Sequence, residues 1–116
     1  MAARSNPQHK AVLDEMLLGH PAIRPGKMFG FPAYYADKKL CMCLYEQGVG
    51  VKVPAQMAAR LIQEDPHVIP FQPYGKRKMR EWIQINLDRS EDYREYQAVF
   101  EESISHVLAQ QGRAKS

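Results

Sequence analysis

Leu40-Cys41-Met42-Cys43-Leu44-Tyr45, turned by Glu46-Gln47-Gly48 into Val49-Gly50-Val51-Lys52-Val53, decides the fold. On an extended chain successive side chains alternate faces, so Leu40, Met42 and Leu44 fall on one side and Cys41, Cys43 and Tyr45 on the other. Both sides are apolar, which suits a central strand. The polar, glycine-containing turn then returns the chain as the second arm of a hairpin.

Upstream of the hairpin, Asp37-Lys38-Lys39 reads as a polar turn. Before it, Lys27 to Phe31 is a short strand that Pro32 breaks or bulges, and Ala33-Tyr34-Tyr35 resumes it. Consecutive tyrosines on a strand send one ring away from the core. Pro21 to Pro25-Gly26 is a loop. Ser5-Asn6-Pro7 starts a helix, because Asn caps free backbone N–H groups and Pro at the first helical position sacrifices no hydrogen bond. Val12, Leu13, Met16 and Leu17 recur at helical spacing until Gly19 and Pro21 stop it, which places the helix at about 7–18.

Downstream, Pro54 opens a helix with Met57, Ala58, Leu61 and Ile62 on its buried side, ending near Asp65-Pro66. Val68, Ile69 and Phe71 form a short strand, and Arg80 to Leu87 a longer one with Trp82, Gln84 and Asn86 on one face. Ser90-Glu91-Asp92 starts the last helix with a hydroxyl cap and two acids at the positive end of its dipole. Tyr93, Tyr96, Phe100, Ile104, Val107 and Leu108 give that helix a long apolar stripe to lay across the sheet. The expected order is α-β-β-β-α-β-β-α. This is an α+β fold, with a two-layer, mainly antiparallel sheet of about five strands covered by helices. One domain spans 7–111, with 1–6 and 112–116 as flexible ends.

Composition agrees with this reading. A chain of 116 residues that is 45% hydrophobic can build a core without metal or disulfide staples. No apolar run approaches the ~20 residues of a membrane span, and the N-terminus lacks the apolar segment of a secretion signal. Cys41 and Cys43 stand one residue apart on a strand, where a bridge would be badly strained, so a reducing cytoplasm is expected. The net charge of +3 is unevenly spread. Residues 1–80 hold twelve Lys and Arg against six Asp and Glu, while residues 81–116 hold four against seven.

Few residues form a pattern that carries chemistry. Two thiols could begin a soft-metal site, but zinc needs three or four ligands, and His9, His20, His67 and His106 are scattered without ligand spacing. The thiols read as core packing and no metal or other cofactor is implied. No Ser sits in a glycine-flanked elbow, and Glu64-Asp65, Glu91-Asp92 and Glu101-Glu102 read as solvated or capping acids, so an enzyme is not expected. Gly48-Val49-Gly50 leads into a strand rather than a helix and lacks the third glycine of a dinucleotide loop. The sharpest candidate is the basic loop. Tyr74, Lys76, Arg77, Lys78 and Arg80 place four cations beside an aromatic ring, which suits phosphates and a stacked base. The alternative is a solvated loop whose charges protect a sheet edge.

From Lys27-Met28-Phe29-Gly30 onward the sequence resembles the N-terminal domain of the TfoX/Sxy family of competence regulators. The likeness continues through Tyr34-Tyr35, Asp37-Lys38-Lys39-Leu40, Gly50-Val51-Lys52-Val53, Pro70-Phe71 and Met79-Arg80-Glu81-Trp82 to a closing helix. It spans about residues 10–110, and it rests on the order and spacing of short segments. The family usually has a second Gly after Met-Phe-Gly, where this chain has Phe31-Pro32. The YjbR-like proteins share a comparable layout. The resemblance implies a noncatalytic interaction or regulatory module of bacterial type that binds a protein partner or itself. The alternative from the residues is a weak nucleic-acid binder using the loop from Tyr74 to Arg80.

Overall fold

The structure, a computed structural model, describes residues 4–77 and 79–115, with side chains up to Gly112. The elements run α1 (Pro7–Leu17), β1 (Ile23–Met28), β2 (Phe31–Ala36), β3 (Lys39–Tyr45), β4 (Gly48–Lys52), α2 (Ala55–Glu64), β5 (Val68–Pro70) and β6 (Trp82–Ile85). A 3₁₀ segment, Ser90–Tyr96, then leads into α3 (Gln97–Lys115). The fold is α+β with one antiparallel sheet, as expected, but the described residues form six strands rather than about five, in the order β1-β2-β3-β4-β6-β5.

The additional strand, β1, takes in residues 23–26, expected in a loop, together with Lys27 and Met28 from the start of the segment expected as one interrupted strand. Phe29 and Gly30 have φ of 50° and 84°, the positive pair that a tight two-residue hairpin turn needs, so the chain reverses there. Pro25 and Pro32 are tolerated because each avoids a ladder bond. Pro25 lies in β1 at the sheet edge, and Pro32 pairs only with Lys27, outside the β2–β3 ladder.

A second departure lies inside β3. Tyr34 is opposite Met42 but Tyr35 is opposite Leu40, which leaves Cys41 as the extra residue of a β-bulge. The bulge breaks the alternation. Cys41 joins Met42 and Leu44 in the core beneath the helices, whereas Cys43 lies on the opposite face with Leu40 and Tyr45. The two thiols therefore do not share a side.

The inner face of the sheet carries the main core. Val12, Leu13 and Leu17 of α1, Tyr93 of the 3₁₀ segment and Phe100, Ile104 and Val107 of α3 pack on Tyr34, Met42, Leu44, Val49, Val51, Ile83 and Ile85. Asn6 caps α1 as expected, accepting from the backbone N–H groups of Gln8 and His9 at 2.9 and 3.2 Å. Ser90 does not cap its helix. Its hydroxyl lies 2.6 Å from Nδ1 of His9, a fully buried ring packed edge-on against Tyr93, and so joins α1 to the 3₁₀ segment. Ser103 of α3 donates to the Cys41 carbonyl at 3.2 Å and satisfies the bulge.

The ends of the described chain are more tied than a loose tail. Glu46 N–H donates to the Arg4 carbonyl at 2.9 Å, and α3 continues through Lys115. No helix among the described residues is long and apolar enough to cross a membrane.

Candidate binding face

Among the described residues no helix contributes to the cluster on the outer face of the sheet, although α2 borders it at Trp82. This second cluster covers the centre of the face: Ala33, Cys43, Phe71 and Trp82, with Met28, Tyr35, Leu40, Tyr45 and Met79 around them. Phe71 and Met79 come from the connection between β5 and β6, which folds back over the sheet. The Phe71 ring presses on β4 where Gly50 leaves room; a Cβ there would lie 2.9 Å from the ring. Tyr45 meets Phe71 edge-on at 5.3 Å, and Trp82 lies beside it at 5.4 Å. The loop is thus seated by its own aromatic residue.

That seating carries Tyr74 across to the β1–β2 turn, where its ring meets Phe29 edge to face at 5.8 Å. Phe29 is 71% exposed and Tyr74 52%. Phe29 stands at a positive φ, a conformation that a bulky residue rarely adopts, yet its side chain is not used in the core. Lys76 and Arg77 are exposed on the same loop. Gln72 donates to the Lys76 carbonyl at 3.3 Å and helps shape the bend.

The charge asymmetry of the sequence becomes an asymmetry in space. Pairing register puts Arg24, Gly26 and Met28 of β1 outward with Tyr35, Ala33 and Phe31 of β2, and puts Lys52 outward with Trp82. None of these positions is acidic, and residues 71–80 contain no Asp or Glu. The carboxylates lie on the helices, the 3₁₀ segment, the connecting turns and at Glu81, whose side chain is tied to His106 of α3 at 2.7 Å.

Of the five residues in the sequence-based site, the structure brings Tyr74, Lys76 and Arg77 together on one exposed loop. Lys78 lies outside the described residues. Arg80 lines a depression between α2 and the base of the loop. Phe29 is the member that sequence reasoning missed. Its only signal was the Gly after it.

Comparison with protein-family models, with curated proteins and with solved structures finds no match.

Other reactive groups are committed to structure. Burial pushes the thiols of Cys41 and Cys43 up to about 12, so both stay protonated at neutral pH. Burial also holds His9 below the ordinary imidazole value, against the pull of the Gln47 and Leu87 carbonyls. His106 pairs with Glu81, which is held below the usual carboxylate range chiefly by that hydrogen bond. Among the described residues, no group of three or more His, Cys, Asp and Glu is placed to hold a metal ion.

Proposed function

We propose that the protein is a noncatalytic binding module whose outer sheet face takes single-stranded nucleic acid. One observation carries this reading: an exposed Phe29, held at the β1–β2 turn, packs edge-on against Tyr74 beside Lys76 and Arg77 on a loop that contains no carboxylate. The turn accounts for the positive φ but not for an aromatic ring at that position, so it is the exposed side chain of Phe29 that points toward binding. Aromatic rings exposed beside cations suit bases that stack and phosphates that need neutralising. The likeness to the TfoX/Sxy N-terminal domain supports the noncatalytic half of the proposal. Two free thiols suit a reducing cytoplasm.

Anisotropy of a labelled oligothymidylate tests it. Contact with about three phosphates gives roughly a twentyfold loss of affinity between 50 and 200 mM salt, from the single-strand slope of ~0.7 per phosphate. Phe29→Ala or Tyr74→Ala should each weaken binding by about fivefold or more, since stacking is worth ~1–3 kcal/mol per base. Absence of binding at 50 mM salt, or full affinity in both variants, would remove the reading.

A second reading, a protein partner, is favoured by a separate groove of about 740 Å³ between α2 and α3, lined by Met57, Leu61, Ala98 and Val99 with Arg60 and Glu102. Pairing of two copies through the sheet edges is opposed by Pro25 and exposed Lys27 on β1 and by Pro70 on the three-residue β5. Light scattering on the purified chain checks this point, and a concentration-dependent dimer lost in Phe29→Ala would redirect the face to self-association.

A further inference from the structure

The depression that contains Arg80 is a second site, separate from the Phe29–Tyr74 pair. It measures about 320 Å³, at the small end of the range for ligand sites. Its walls are Ala59 and Ile62 of α2, Pro70 at the end of β5, and Met79 and Trp82 at the far end of the loop, with Arg80 the one charged residue lining it among the described residues. The space exists because the apolar residues of α2 divide. Met57 and Leu61 line the groove toward α3, while Ala58, the only fully buried residue of the helix, and Ala59 face the loop with side chains too short to close the gap.

The chemistry of the lining selects the occupant. An indole and a thioether favour an aromatic body. Among the described residues the lining holds one guanidinium and no carboxylate, which favours a negatively charged group, and a carboxylate matches its paired donors. We infer that this slot between α2 and Trp82 binds a small aromatic monocarboxylate, with its ring between Ala59 and Trp82 and its carboxylate on Arg80.

Trp82 is the only tryptophan in the chain, so its emission, excited at a wavelength the ligand does not absorb, reports the slot directly. The probe is 4-phenylbutyrate, compared with its neutral amide and with saturation-transfer NMR as a second readout. The acid should give a saturable change in Trp82 emission and bind about tenfold more tightly than the amide, the equivalent of ~1.4 kcal/mol for one charged hydrogen-bonded pair. Arg80→Gln should abolish the difference between acid and amide. Ala59→Leu fills the slot from an exposed helix position and should remove binding of both, with an unchanged circular dichroism spectrum. A linear, unsaturable response overturns the site. Equal affinity for acid and amide in the unmodified protein overturns the assigned ligand class, and undiminished binding to Ala59→Leu places the ligand elsewhere.

Discussion

Gly50→Ala tests whether the outer layer is held by the contact of one ring on one strand. The added methyl would meet Phe71 Cζ at 2.9 Å, and Phe71 Cε1 and Cys43 Sγ each at 3.1 Å. Carbon atoms pack best near 3.5–4.0 Å, so the shortfall is about 0.6 Å or more. Phe71 has little room to withdraw, being 1% exposed and flanked by Tyr45 and Trp82. Overfilling a packed site costs ~1–3 kcal/mol. Removing a glycine from the unfolded chain offsets ~0.4–1 kcal/mol of that. A net loss of about 1–2 kcal/mol is expected, or a fall of roughly 4–8 °C in Tm for a domain of this size. Urea unfolding followed by circular dichroism measures it without relying on Trp82, whose emission depends on Phe71. Phe71→Leu in the same chain should restore part of the loss, with a favourable coupling of about 1 kcal/mol between the two sites. A Gly50→Ala protein as stable as the parent, or two substitutions that simply add, would show that the ring does not rest on β4 as described.

Two further outcomes follow from buried groups. Neither Cys41 nor Cys43 should react with Ellman's reagent in the native protein at pH 8, and both should react in urea, because both are fully buried and burial keeps their thiols protonated; prompt native labelling of either refutes the placement. His9 is kept neutral in the fold, so protonation near the unfolded value of ~6.5 favours the unfolded chain. Its contribution is present above that pH and is lost as pH falls below it, with a slope of at most ~1.4 kcal/mol per pH unit. The difference in stability between the parent and His9→Gln should therefore shrink from pH 7 to 5.5, and a constant difference would contradict a buried neutral ring.

Where the sequence carried a local signal, the architecture was legible. Asn6-Pro7 places the start of α1, and Glu46-Gln47-Gly48 places the central hairpin within a residue. The misread elements lacked such a signal. Phe29 is not a turn residue by composition, and the prolines on either side of the turn mimic a broken strand until the edge position of β1 is known. The bulge at Cys41 left no trace because residues 40–45 are apolar in either register, so a slip of one position changes no polar residue. The hydroxyl of Ser90 was a plausible cap, but a buried imidazole 81 positions earlier is its partner. The same holds for the candidate site. Its cations were visible as a cluster, whereas the Phe29–Tyr74 contact depends on how a long connection crosses the sheet.

That crossing explains why the cations are exposed at all. A loop of charged residues over an apolar sheet face has no reason to stay there unless something within it prefers the sheet to water. Phe71 supplies this at one end and Met79 with Trp82 at the other, so both ends of the loop are fixed in the outer cluster. The turn at residues 73–76 then spans two anchored points, and Lys76 within it and Arg77 beside it are exposed to solvent. Tyr74, between the anchors, could have turned down into the cluster as Phe71 does; it stands 52% exposed against a Phe29 that is more exposed still. Leaving a ring the size of Phe at the surface forgoes hydrophobic burial of ~1.5–3 kcal/mol, which on the proposed reading a stacked base recovers.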